Sequence, residues 1–177
     1  MNVAIVGATG YGGIQLISLL SKNKNYDITF LGGNKTTGIK WNELFPYIKL
    51  KNNLTIEKIS VNDISKKSDL AILALPNGIS STITPSLLKK GIKVVDLSAD
   101  YRYKSLDLWK EIYSKESKTF NRKDYELCNE AVYGVPEIYN KEIKEARLVA
   151  CPGCYPTSSL IALIPFLSQG IIESDGI

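Results

Sequence analysis

The apolar positions of this chain fall into short continuous runs and do not alternate. Asn2 to Val6 reads as a buried strand, Gly7 to Gly13 as a turn, and Ile14, Ile17, Leu19 and Leu20 as one face of a helix. A second strand falls near Tyr26 to Leu31 and ends in Gly32-Gly33. A third, Leu70 to Leu75, stops at Pro76, and a fourth spans Lys93 to Leu97. A helical stretch lies within Gly78 to Lys90, where Pro85 predicts a break or kink because it lacks the N–H that a helix interior uses. From Tyr101 to Glu145 the pattern turns polar and aromatic, with a helix expected over Leu106 to Ser114 and an irregular segment through Tyr133-Gly134-Val135-Pro136. A last strand, Arg147 to Ala150, runs into Cys151-Pro152-Gly153-Cys154, and a helix is expected from Thr157 to Ser168.

Unalternating apolar runs separated by helical segments are what a parallel sheet covered on both faces requires, so the predicted class is doubly wound α/β. A length of 177 residues suits about one domain with a core that needs no disulfide or metal. Apolar residues at 44% and charged residues at 23% are ordinary for a globular protein and exclude disorder as the default.

Charge changes this picture little. The net +4 comes from lysines scattered over loops and polar faces, such as Lys22, Lys24 and the Lys115 to Lys123 stretch, which reads as solvated surface and not as a nucleic-acid footprint. The longest strongly apolar stretch, Leu160 to Leu167, contains Pro165 and is far shorter than the roughly 20 residues that span a bilayer. With strand-like residues already at Asn2, no leader pattern is visible, and the expectation is a cytoplasmic protein without nucleic-acid or membrane partners. Three cysteines, an odd and small number, are expected as free thiols.

The chemistry begins with Gly7-Ala8-Thr9-Gly10-Tyr11-Gly12-Gly13, set between a strand and a helix. Glycines at 7, 10 and 13 permit a tight turn, a close approach of backbone to a pyrophosphate, and contact of helix with strand. The helix start then offers free N–H groups and a positive dipole end to phosphate. Gly7, Thr9, Gly10, Tyr11, Gly12 and Gly13 are therefore candidate cofactor residues in a Rossmann-like fold. After the second strand, where an NAD enzyme places a carboxylate for the ribose 2′-hydroxyl, this chain has Gly32-Gly33-Asn34-Lys35-Thr36-Thr37. Without a carboxylate, and with Lys35 nearby, NADP is favoured over NAD; the competing reading has Lys35 simply facing water.

Cys154 stands where a strand passes through a Pro-Gly turn into a helix that Pro156 can start. A thiol at a helix start faces unpaired N–H groups and the positive dipole end, which favour its reactive form. The same N–H groups, with the hydroxyls of Thr157 or Ser158, can stabilise an oxyanion on a carbonyl attacked by sulfur. Two other readings stay open at this point, a Cys151/Cys154 dithiol and a purely structural Cys154. A metal site is not expected, since the chain has no histidine.

A nucleotide loop with a downstream cysteine points to a reductase that forms an aldehyde from a thioester. Gly-Ala-Thr-Gly-Tyr-Gly-Gly at 7–13, Ala-Leu-Pro-Asn-Gly at 74–78, Asp-Leu-Ser-Ala-Asp-Tyr-Arg at 96–102, Tyr-Gly-Val-Pro-Glu at 133–137 and Pro-Gly-Cys-Tyr-Pro-Thr at 152–157 occur in that order. Together they resemble the N-acetyl-γ-glutamyl-phosphate reductase family. The resemblance implies arginine biosynthesis, NADPH, and reduction of an acyl phosphate to N-acetylglutamate semialdehyde with release of phosphate. It implies Cys154 as nucleophile, and Leu75, Pro76 and Asn77 beside the nicotinamide end of the cofactor. It also implies Arg102 near the substrate, where a guanidinium fork binds carboxylate or phosphate; the bland alternative for Arg102 is an ion pair with Asp96 or Asp100.

This sequence departs from the family pattern in placing Asn at 77, where the family often has His, and Cys at 151, where Asn is usual. Cys151 is a possible disulfide partner for Cys154. The family continues into a second α/β domain that supplies a histidine acid/base and the subunit contacts of homo-oligomers. The expected organisation is thus an NADP-binding domain at 1–150 and the start of a catalytic domain at 151–177, the chain as a whole being a shortened form. The alternatives are a nucleotide-binding fragment without catalysis and a related acyl-phosphate reductase of the lysine-pathway or aspartate-semialdehyde type.

Overall fold

A computed structural model describes residues 1–113, 122 and 124–175. Ser114, at the end of the expected helix, and the Lys115 to Lys123 stretch apart from Arg122 lie outside the described residues. Strand β1 (Asn2–Val6) leads to helix α1 (Tyr11–Leu20), β2 (Asp27–Gly32), α2 (Trp41–Leu44), β3 (Ile56–Glu57), α3 (Val61–Lys67) and β4 (Leu70–Leu73). The chain continues through α4 (Ser80–Lys89), β5 (Lys93–Asp96), α5 (Leu106–Tyr113), α6 (Tyr125–Glu130), β6 (Val132–Tyr133), α7 (Pro136–Glu145), β7 (Leu148–Ala150) and α8 (Cys154–Ser168).

The strands form a seven-stranded sheet in the order β3-β2-β1-β4-β5-β7-β6, and every pairing within it is parallel. Because side chains alternate across a strand, Val3 and Ile5 of β1 enter one apolar cluster with Ile17 and Trp41. Ala4 and Val6 enter the other, with Ile64, Leu87 and Trp109. Helices α1 and α2 thus cover one face, and α3, α4 and α5 the other. Two covered faces are the physical reason the strands read as unbroken apolar runs. Thr29 is an extra residue in β2, since Val3 pairs with Ile28 but Ala4 with Phe30. This bulge lets Ile28 and Leu31 face one cluster and Phe30 the other.

Local signals explain several boundaries. Ser60 caps α3, its Oγ accepting from Asp63 N at 3.3 Å, and Lys66 and Lys67 sit at the negative dipole end. Buried Trp41 anchors the β2–β3 connection, donating from Nε1 to the Ile48 carbonyl at 2.6 Å. The structure departs from the sequence-based expectation in three places. Helix α4 continues through Pro85. Cys154 is already the first residue of α8, which places Pro156 in the first turn, where proline is tolerated, and not at the start. The segment expected to be irregular contains β6, paired with β7, and Pro136 opens α7. None of the residues of apolar helix α8 is buried, and Ile161 and Phe166 are about half exposed, at 45% and 50%.

Candidate active site

In a parallel sheet all strand C-termini lie along one edge. Here that edge carries the loops after β1 (7–10), β2 (33–37), β4 (74–79), β5 (97–102) and β7 (151–153). Strand order reverses at β1, which has β2 on one side and β4 on the other. Such a switch point leaves a crevice beyond the strand ends where ligands of open α/β sheets bind.

The glycine loop closes that crevice by main-chain contact. Gly7 has a φ of +86°, and a Cβ placed there would lie 2.1 Å from the Ala74 carbonyl oxygen. A Cβ at Gly13 would lie 2.3 Å from Gly7 O. Both positions exclude any side chain, whereas a Cβ at Gly10 would meet its nearest atom at 3.4 Å and one at Gly12 at 3.6 Å. The N–H groups of Gly7 and Ala8 both donate to Gly32 O, at 2.9 and 3.0 Å, which ties this loop to the end of β2. No side chain caps the start of α1 at Gly10. Its first turn, with no acidic residue, therefore suits an incoming anion. Thr9 is half-buried and Tyr11 stands 94% exposed beside it.

Beyond β2, the Thr37 hydroxyl donates to Gly33 O and Asn34 O, each at 3.0 Å, and shapes a turn that leaves Lys35 exposed. Thr36 Oγ1 is buried without a hydrogen-bond partner. An orphaned hydroxyl of this kind in a loop free of carboxylates is a donor in want of an acceptor.

The β4 and β5 loops are laced together. Asn77 Oδ1 accepts from Ala99 N at 2.9 Å, and Asp100 accepts from Gly78 N and Ser81 N. Leu75 is half-buried and Pro76 exposed. Arg102 donates from Nε to Cys151 O at 2.8 Å and from Nη2 to Leu97 O at 2.9 Å. Its fork therefore straps the end of β5 to the end of β7 through main-chain oxygens, and not through an ion pair with Asp96 or Asp100. Nη1 lies against Gly153, where a Cβ would come within 3.3 Å of it.

The cysteine turn is fixed from the same side, since Cys151 N donates to Asp96 O at 2.8 Å. Gly153 is the N-cap residue of α8 and makes no side-chain cap. Cys154 is exposed, Cys151 half-buried and Cys128 buried, and all three are free thiols. Burial, reinforced by the Asp96 carboxylate and opposed by Arg102, pushes the Cys151 thiol up to about 11, which leaves it protonated and inert at neutral pH. Burial likewise raises Asp96 to about 6, against the pull of its Ser98 hydrogen bonds. The Thr157 hydroxyl donates to Gly153 O at 2.8 Å and that of Ser158 to Tyr155 O at 2.9 Å, so both are turned onto local carbonyls.

The fold thus brings the glycine loop, Leu75 to Asn77, Arg102 and Cys154 to one edge, with Lys35 at its far end. The sequence names Asp96 and Asp100 only as ion-pair partners for Arg102 and gives Thr36 no role of its own. The two aspartates belong to the same stretch as Arg102, and their burial was the missing signal. Among the described residues no group of His, Cys, Asp or Glu could hold a metal ion, and no helix is long and apolar enough to cross a membrane.

Residues 2–146 match the family model described as semialdehyde dehydrogenase, NAD binding domain. The whole chain is 67% identical to the N-acetyl-gamma-glutamyl-phosphate reductase of Prochlorococcus marinus strain MIT 9301, covering 50% of that protein. Over 99% of its length it is 56% identical to the protein of the same name from strain NATL1A, covering 49% of it. The chain therefore spans about half the length of the curated relatives it matches. Among solved structures, aspartate semialdehyde dehydrogenase II of Vibrio cholerae complexed with ASA superposes with a TM-score of 0.65 at 22% identity, over 94% of this chain and 46% of that one. The aspartate semialdehyde dehydrogenase of Candida albicans with NADP gives 0.66 at 16% identity, over 95% and 47%. At these identities the structures show a shared fold.

Proposed function

For a chain that belongs to the semialdehyde dehydrogenase family by its NAD-binding domain, we propose the dinucleotide-binding and nucleophile-bearing part of an NADPH-dependent N-acetyl-γ-glutamyl-phosphate reductase. The observation that carries this reading is the placement of the glycine loop and the exposed Cys154 on one edge of one sheet. Residues 1–150 form the NADP-binding domain, and 151–177 begin the catalytic domain. Three unpaired cysteines suit a reducing compartment such as the cytoplasm.

The residues present fit the cofactor. Gly7 and Gly13 leave the space that a Cβ would take, and the uncapped start of α1 meets the pyrophosphate. Lys35 and the orphaned Thr36 hydroxyl provide a charge and a donor where a 2′-phosphate would need them. Leu75, Pro76 and Asn77 flank the nicotinamide end. When bound, the nicotinamide supplies the hydride that turns a thioester into an aldehyde.

Cys154 supplies the thioester. Its thiolate sulfur bonds to the γ-carbonyl carbon of the acyl phosphate, the carbon–oxygen bond to phosphate breaks, and inorganic phosphate leaves with the electron pair. The main-chain N–H groups at the start of α8 face the oxyanion of each tetrahedral stage, while the Thr157 and Ser158 hydroxyls, donated to Gly153 O and Tyr155 O, shape that turn and do not reach the oxyanion. Arg102 holds the cysteine turn in place and keeps Nη1 beside Gly153 for a phosphate or carboxylate of the substrate. After reduction the carbon–sulfur bond breaks, releasing the aldehyde and restoring the thiolate. The chain has no histidine, so the reading gives it binding, orientation and the nucleophile, and not the proton transfers.

Fluorescence titration of the chain with NADPH and NADH, followed by addition of N-acetyl-γ-glutamyl phosphate and assay of phosphate, tests this. The reading expects tighter binding of NADPH than NADH, and phosphate release that requires Cys154. Absence of binding to either nucleotide would overturn it.

A further inference from the structure

Helix α4 starts without a cap of its own. Its N-cap residue, Ile79, has no side-chain oxygen to offer the exposed N–H groups of the first turn. The cap comes from another loop. Asp100, fully buried after β5, accepts from Gly78 N through Oδ1 at 2.5 Å and from Ser81 N through Oδ2 at 2.8 Å. One residue before it, Ala99 N donates to Asn77 Oδ1 at 2.9 Å. Each loop thus uses a side chain to hold the main chain of the other.

Asp100 is itself held from behind. Arg122 donates from Nη1 to the Asp100 carbonyl at 2.7 Å, and its guanidinium lies 4.4 Å from the ring centre of buried Trp109. A buried carboxylate bonded to two main-chain N–H groups at a positive helix end is a strong, rigid clamp. The clamped loop is 74–79, whose Ala74 carbonyl also abuts Gly7 of the nucleotide loop.

We propose that Asp100 is a positioning residue. It caps α4 from the β5 loop and so fixes Leu75 to Gly78 in the shape that receives the nicotinamide half of the dinucleotide. The inference rests on the nucleotide reading above and adds to it a division of labour. The glycine loop binds the adenosine and phosphate part, and Asp100 pre-organises the nicotinamide part. An unclamped loop would spend part of its time in shapes unable to bind, weakening affinity by the fraction lost.

The test compares NADPH with 2′,5′-ADP, which lacks the nicotinamide, on the wild-type chain and on Asp100→Asn and Asp100→Ser. Asn presents one acceptor where two are used, and Ser keeps a capping oxygen without a buried charge. The expected result is an NADPH Kd raised about tenfold in Asp100→Asn, with weaker nicotinamide fluorescence and an unchanged Kd for 2′,5′-ADP. Unchanged 2′,5′-ADP binding also reports an intact fold. Equal loss for both ligands, or none for either, would overturn the Asp100 role while leaving the nucleotide reading standing. Failure of the wild-type chain to bind either ligand would instead sink that reading. If neither variant folds, amide exchange in the wild type decides. Gly78 and Ser81 amides that are slow before NADPH is added support pre-organisation, and amides that become slow only upon binding refute it.

Discussion

Asp96 offers a stability test that follows from burial alone. Its carboxyl is fully buried at the end of β5, with Oδ1 accepting from Ser98 N at 3.0 Å and Oδ2 from Ser98 Oγ at 2.7 Å. Desolvation outweighs these bonds and lifts its pKa from 3.8 to about 6. The folded state therefore holds this proton more tightly than the unfolded chain does. Stability from this group is full below pH 4, falls as pH rises through the window between 4 and 6, and is flat above it. A pKa of about 6 in place of 3.8, at ~1.4 kcal/mol for each tenfold in proton affinity, makes ionised Asp96 a cost of roughly 3 kcal/mol at neutral pH. Asp96→Asn removes the titration while keeping an amide able to meet both Ser98 groups. The difference in urea unfolding free energy between Asp96→Asn and wild type should move in favour of the variant by about 2 kcal/mol between pH 4.5 and 7.5. Parallel stability–pH curves for the two proteins would refute the buried-charge account.

Gly13→Ala should destabilise the chain by about 1–3 kcal/mol and abolish NADPH binding, because its Cβ would meet Gly7 O at 2.3 Å. Gly10→Ala, whose nearest contact is 3.4 Å, should fold normally by thermal melting. Arg102→Lys leaves one ammonium where a fork serves two carbonyls, and should cost about 1–3 kcal/mol in urea unfolding. No loss would contradict the strap between β5 and β7. Iodoacetamide at pH 8 should modify Cys154 first, with Cys151, roughly 0.1% thiolate at that pH, and buried Cys128 reacting only upon unfolding; peptide mass spectrometry reads the order.

The sheet was legible because its chemistry is local and repetitive. Runs such as Ala71 to Leu73 stay apolar on successive residues only when both faces are covered. Glycine spacing identified a loop whose steric demand the structure then explained at Gly7 and Gly13. What escaped the sequence was set by tertiary contact. The two-residue strand β6 exists by pairing with β7, and its length carries no periodicity. Pro85 forgoes one hydrogen bond of α4, and Leu87 and Leu88 packing against the core hold the helix together across it. Asp96 and Asp100 read as ion-pair partners for Arg102, and only their burial shows them bonded instead to main-chain N–H groups and the Ser98 hydroxyl.

The central claim is that the nucleotide crevice and Cys154 serve one site. It is tested most directly by the rate of Cys154 alkylation with iodoacetamide in the presence of saturating NADPH, with 2′,5′-ADP as control. The account predicts that NADPH slows modification of Cys154 several-fold while 2′,5′-ADP leaves it unchanged. Identical rates with NADPH demonstrably bound would mean that the cofactor and the thiol do not share a site.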